Sequence, residues 1–190
     1  SYISNIDTHS DPQGLLRSKG FISVGHDEYW SLEMYDNVRK AREEGVNIAF
    51  FGGNSVLCVA PLLPNTNGVP NRATRREGWF MPVADEIPET VKRRLLNRRD
   101  FEMNMGPDGA QLMGGRLDKD QKTGRGMGCG DWTCAMPEHW LFEGTGMKKG
   151  DSIKGLVGWE WHGAPAMDLP GMSVVARGDA TINGRNVGQY

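Results

Sequence analysis

Residues 25–31, Gly-His-Asp-Glu-Tyr-Trp-Ser, place four side chains able to ligate, titrate or hydrogen-bond directly after a short apolar run, Phe21-Ile22-Ser23-Val24. His26 beside Asp27 or Glu28 is a histidine–carboxylate pair, which can move protons near neutral pH. Tyr29 beside Glu28 offers a phenol and a carboxylate, two oxygen donors suited to a hard metal ion. Adjacent residues on a turn point in different directions, so about two of the four are expected to share one site. The competing reading is structural: Asp27 or Ser31 caps the next helix and His26 fills a hydrogen bond.

A second polar turn, Gly52-Gly53-Asn54-Ser55, follows the next apolar run. Its backbone N–H groups could hold an anion or an oxyanion, or its glycines could serve only a tight turn. Ser55 and Cys58 are candidate nucleophiles, yet neither sits in Gly-x-Ser-x-Gly, and no phosphate-binding loop pattern is present. The apolar flank Val56-Leu57 is expected to raise the Cys58 thiol pKa, which counts against a thiol enzyme. Two distal groups are Glu138-His139-Trp140 and Trp159-Glu160-Trp161-His162. Aromatic flanks can shift a neighbouring pKa; packing is the simpler reading of Glu138 and His139, and both readings stay open for Glu160 and His162. Arg75-Arg76-Glu77 reads either as an arginine clamp for a carboxylate or as a surface ion pair. His9, in a polar connection, is expected to be exposed.

The elements that must position these residues follow from periodicity. Residues 21–24 read as a buried strand and 46–51 as a second one. Between them, Leu32, Tyr35, Val38 and Ala41 recur at near-helical spacing over 31–44, and Gly45 stops the helix. Strand, helix, strand in about 30 residues is a βαβ unit with parallel strands. Both polar turns then lie at one edge of the sheet, the edge where open α/β sheets bind ligands, with His26 to Tyr29 near Asn54. Elsewhere, 2–6 reads as the end of a strand and 14–17 as a short helix. Residues 60–80 read as loop, 89–96 as a helix, and 106–134, with its many glycines, as a long excursion. Residues 155–162 alternate like a strand with Glu160 and His162 on one face. Residues 172–176 read as another strand, and 181–190 as a hairpin turning at Asn183-Gly184. These readings predict one α/β domain over 1–190 with an antiparallel β-rich extension and a loop-rich insertion at 60–134. The chain opens and closes in what read as strands, so it reads as part of a longer polypeptide, with further segments or other subunits as partners.

Composition narrows the class. A chain of 190 residues has room for one sizeable core. A net charge of -2 gives no bias toward nucleic acid, and the run Lys92, Arg93, Arg94, Arg98 and Arg99 reads as a solvated helix face. No apolar run is long enough to span a membrane. Three cysteines, Cys58, Cys129 and Cys134, leave no complete disulfide framework. Cys129 and Cys134 either pair or remain thiols, and the absence of Cys-x-x-Cys argues against zinc.

The stretch from Val24 to Ser31, the helix ending at Gly45, and Asn47-Ile48-Ala49-Phe50-Phe51-Gly52-Gly53-Asn54 together resemble the carboxyl-terminal domain of the N,N-dimethylformamidase large (beta) subunit family. That family shows a His-x-Glu-Tyr turn, a helix, and a strand ending in Gly-Gly-Asn or Ser-Gly-Asn. Arg75-Arg76-Glu77-Gly78 looks like a later family segment, and the clear match covers about residues 21–58, with weaker similarity across the rest. The resemblance implies a flavodoxin-like fold, as in class I glutamine amidotransferases, with a parallel sheet and helices on both faces. It also implies amide hydrolysis at a mononuclear iron held by two tyrosines and one glutamate. Tyr29 matches the first tyrosine; the second would fall where this chain has Leu57, which cannot ligate iron. Glu138 is a candidate for the glutamate only by its distance along the chain.

Taken together, these readings predict a hydrolase-like domain acting on a small amide or related C–N bond, with its site at the 25–30 and 52–55 turns. His26, Glu28 and Asn54 are the candidate catalytic residues, with His26 as general base or as a partner that orients a metal ligand, and Asn54 orienting substrate or water. Tyr29 and Glu28 are the candidate metal ligands or polar anchors, with iron as the implied cofactor. The alternative is a non-catalytic, amidotransferase-like binding or assembly module, which the Leu57 substitution favours.

Overall fold

A computed structural model describes residues 1–80, 106–115, 127–163 and 169–190. The helix expected at 89–96 and the basic run from Lys92 to Arg99 lie outside the described residues. The chain divides into two compact units, Ser1–Leu112 and Met113–Tyr190.

The first unit begins with helix α1 (Asn5–Ser10) where the sequence suggested a strand. The reason is local: Ser4 and Asp7 form a reciprocal capping box, Asp7 N–H to Ser4 Oγ at 3.1 Å and Ser4 N–H to Asp7 Oδ2 at 2.9 Å. Two orphan N–H groups satisfied at once outweigh a short apolar alternation. Helix α2 (Pro12–Leu16) is capped by Asp11 and carries its proline in the first turn.

Strand β1 (Gly20–Val24) and strand β3 (Asn47–Phe51) run parallel, paired from Gly20 with Asn47 to Val24 with Phe51. Helix α3 (Leu32–Glu43) connects them and buries Met34, Tyr35, Val38 and Ala41. It ends as a Schellman motif: Val46 N–H reaches the Ala41 carbonyl at 2.9 Å and Gly45 N–H reaches Arg42 at 3.0 Å, with Gly45 at φ 94°. Trp30, fully buried, meets Phe21 edge-on at 6.2 Å and Phe50 at 6.0 Å. Tyr35 stacks on Phe80 at 5.2 Å.

The expected flavodoxin-like, glutamine-amidotransferase-like sheet is not what the chain builds. Among the described residues, the parallel β1–β3 pair stays two-stranded. Its outer side chains are exposed, Ile22, Val24 and Phe51 each by more than half, whereas parallel sheets normally have both faces covered. After β3 the chain does not enter a second crossover helix. It turns through Asn54 and Val56, both at positive φ, into the two-residue strand β4 (Cys58–Val59). That strand pairs parallel with β2 (Tyr29–Trp30) and antiparallel with β7 (Gly78–Trp79), giving a small mixed sheet. Strands β5 (Leu62–Leu63) and β6 (Ala73–Thr74) form a separate antiparallel pair.

The second unit is antiparallel β. Strand β8 (Cys129–Cys134) is its centre, flanked by β9 (Ser152–Gly158), β10 (Ala176–Arg177) and β11 (Asp179–Ile182), and β11 turns into β12 (Arg185–Gln189). Residues 129–134 thus form a strand where the glycines suggested an excursion. Gly130 is required for packing: a Cβ there would lie 2.2 Å from the Tyr190 hydroxyl and 2.4 Å from the Asp179 carbonyl oxygen. Cys129 is exposed, Cys134 is buried, and both are free thiols. They lie at opposite ends of one strand, so no bridge closes. The strand expected at 155–162 ends at Gly158, because Trp159 and Glu160 turn at φ 30° and 63°. Of the strand expected at 172–176, only Ala176 is paired. The 181–190 hairpin turns where expected, at Asn183 (φ 49°) and Gly184 (φ 74°), the two positive angles of a type I′ turn. Among the described residues no helix is long and apolar enough to cross a membrane.

Candidate active site

The parallel β1–β3 pair delivers the two polar turns side by side. Gly52 packs so closely on the other turn that a Cβ there would lie 1.7 Å from the Gly25 carbonyl oxygen. Backbone bonds then zip the turns together: Val56 N–H to the Asp27 carbonyl at 3.0 Å, and Leu57 and Cys58 N–H to the Glu28 carbonyl at 3.1 and 2.9 Å. A β-branched residue at positive φ, as Val56 is, marks a conformation held in place by its surroundings.

The four polar residues of the first turn separate into two roles. Asp27 accepts from Ser23 Oγ at 2.7 Å and braces the turn against β1. The helix cap is Ser31, which accepts from Met34 N–H at 3.0 Å. Its hydroxyl also lies 2.8 Å from His9 Nδ1, so His9 is tucked against the helix start rather than exposed. Glu28, with an 11% exposed side chain, is the hub of the other role. Its Oε2 lies 2.9 Å from His26 Nε2, and its Oε1 accepts from Cys58 Sγ at 3.2 Å. Tyr29 hydrogen-bonds to the same carboxylate. His26 is about half exposed, as is Tyr29.

The electrostatics follow from this hub. Burial first, and the Glu28 charge second, raise the Tyr29 phenol, so it remains protonated at neutral pH. The same two causes push the fully buried Cys58 thiol up, and it serves as a hydrogen-bond donor rather than a nucleophile. Ser55 is buried, with its hydroxyl on the Gly52 carbonyl at 3.2 Å. Asn54 is buried at φ 54°, and its Oδ1 has no partner among the described residues.

Two further residues belong to this site. The register pairs Tyr29 with Cys58 and Cys58 with Trp79, one row across the mixed sheet. Arg76 lies along it, its guanidinium 5.7 Å from the Trp79 ring centre and Nη1 4.0 Å from Cys58 Sγ. Arg75 instead pairs with Glu77. The sequence flagged both arginines, but only the pairing of two-residue strands separates them.

The distal groups lie in the second unit. Glu138 is exposed, and His139 accepts from Leu141 N–H at 3.3 Å, capping the short 3-10 turn Trp140–Phe142. Glu160 and His162 no longer share a strand face. Burial lowers the His162 pKa from 6.5 to about 4, which keeps its ring neutral.

Among the described residues, no group of three or more His, Cys, Asp or Glu is placed to hold a metal ion. The implied two-tyrosine, one-glutamate set fares no better with this chain's four tyrosines. Beside Tyr29, Tyr35 donates to the Asp108 carbonyl at 3.2 Å, Tyr190 donates to the Asp131 carbonyl at 2.8 Å, and Tyr2 is fully exposed. Leu57, buried, stands where the second phenol was expected. Among the described residues that donor set is not completed.

Residues 1–189 match the family described as N,N-dimethylformamidase beta subunit-like, C-terminal, and the chain belongs to that family. The relation therefore extends well beyond residues 21–58 and makes this a hydrolase-related domain. No curated protein and no solved structure matches it.

Proposed function

We propose that this chain hydrolyses a small amide or related C–N bond at the 25–30 and 52–55 turns, with His26 as general base. The observation that carries the reading is the 2.9 Å contact between a half-exposed His26 and a nearly buried Glu28. A buried carboxylate fixes the orientation of an imidazole and stabilises its protonated form, the arrangement that general-base hydrolysis needs. His26 takes a proton from water as the water attacks the amide carbon. The protonated Tyr29 phenol turns its proton from Glu28 to the oxygen on which negative charge develops, and Asn54 orients the substrate. His26 then returns the proton to the departing nitrogen, leaving a carboxylic acid and an amine. The family's description, a beta subunit, supports other subunits as working partners of this chain.

The test is amine release from formamide and its N-methyl and N,N-dimethyl derivatives by wild type, His26→Gln and Glu28→Gln. Loss of the general base is expected to lower kcat by about 10²–10⁴. Equal, buffer-level rates in all three proteins would sink the hydrolase reading. They would leave the binding or assembly module, which the presence of Leu57 favours.

A further inference from the structure

We infer that Arg76 is a carboxylate anchor, and that the substrate is a short amide carrying a carboxylate at its far end. This rests on the hydrolase reading above and names the substrate class for it.

Adjacent arginines have different fates here. Arg75 is neutralised by Glu77, while Arg76 is partly buried against Trp79 and Cys58 and has no carboxylate within ion-pair distance among the described residues. A cation drawn out of water without a counter-ion is costly, and a cation–π contact and a thiol offset only part of that cost. The surrounding face is rich in donors and poor in acceptors. Arg76 has guanidinium N–H groups that no carboxylate takes up among the described residues, and the buried Trp79 indole N–H has no partner there, while the Tyr29 and Cys58 protons are given to Glu28. The acceptor beside them, the Glu28 carboxylate, is already taken by His26, Cys58 and Tyr29. An added anion would complete the set. A single planar guanidinium matches a carboxylate in charge and in two-point geometry. The path from Arg76 to His26 crosses only Cys58 and Glu28, so the anchored molecule is short. The half-amide of a small dicarboxylic acid fits this description.

The probes are succinamate and its uncharged counterpart butyramide, each tested for binding by calorimetry and for hydrolysis by ammonia release. Wild type is expected to prefer succinamate. Arg76→Gln should weaken succinamate binding by about ten- to hundredfold, the effect of losing a hydrogen bond to a charged group, and by more than it weakens butyramide. Arg76→Lys, which keeps the charge and loses the fork, should fall between, and Arg75→Gln should bind as wild type does. Thermal melts establish that each variant is folded. Equal affinity of wild type for the two probes, or undiminished succinamate binding in Arg76→Gln, would overturn the inference. Butyramide cleavage without a preference for succinamate would remove the anchor and leave the hydrolase. Arg76-dependent binding with no cleavage of either amide would keep the anchor and remove the hydrolase.

Discussion

Cys58 has the residue type of a nucleophile and the surroundings of a structural donor. Its thiol is buried and faces Glu28 at 3.2 Å, and both circumstances favour the protonated form. Because its folded pKa is raised above the ordinary 9.0, its contribution to stability is fully present below that value and is lost as pH climbs beyond it. The chemistry then sorts the three thiols. Iodoacetamide at about pH 8 is expected to label the exposed Cys129 in the native protein and to spare Cys58 and Cys134 until the chain is unfolded. Peptide mass spectrometry reads this directly, and rapid native labelling of Cys58 would contradict the hydrogen-bonded thiol. The same protonated side chain helps to fix Glu28, and through it the ring of His26. A residue that looked like the attacking group is better understood as part of what holds the base.

Two glycines around the first unit's helix and strands have separable roles. Gly45 sits at φ 94° in open space, so a side chain there meets only backbone strain. Gly52 sits against the Gly25 carbonyl, and any side chain must push the two site turns apart. Gly45→Ala is expected to cost about 1 kcal/mol and leave activity intact. Gly52→Ala should cost roughly 1–3 kcal/mol and also abolish whatever the turns catalyse. Denaturant melts beside rate measurements separate the two, and an active Gly52→Ala variant would refute the close packing of the turns. The sequence made the strand–helix–strand unit, its parallel pairing and the Asn183-Gly184 turn readable, because periodicity and turn chemistry are local. It also placed the two polar turns together. It did not reveal that, among the described residues, the sheet stops at two strands, since that depends on what strand β4 pairs with two residues at a time. Nor did it reveal the roles of Cys58 and Arg76, which follow from the cross-strand row of Tyr29, Cys58 and Trp79. Glycines at 128 and 130 read as loop because close packing and turning use the same residue.

At the scale of the whole molecule, the family relation spans residues 1–189 and so runs through both compact units, yet the candidate chemistry lies in the first. The second unit carries its own pH dependence through His162, whose burial lowers its pKa from 6.5 to about 4. A depressed folded pKa means that the neutral ring is the form the fold needs. The associated stability is complete above pH 6.5 and drains away as pH falls toward about 4, at about 1.4 kcal/mol per pH unit. Hydrogen exchange resolves this by region. After correction for intrinsic rates, peptides from β8, β11 and β12 are expected to lose protection between about pH 7.5 and about pH 5, as the second unit opens more often. In His162→Gln, whose side chain does not titrate, that loss should be markedly smaller, whatever the variant's absolute stability. Peptides from α3 serve as the internal comparison, because their unit does not contain the histidine. The same loss of protection in both proteins would show that other groups set the acid sensitivity of the β unit, and that His162 is not the residue that limits it.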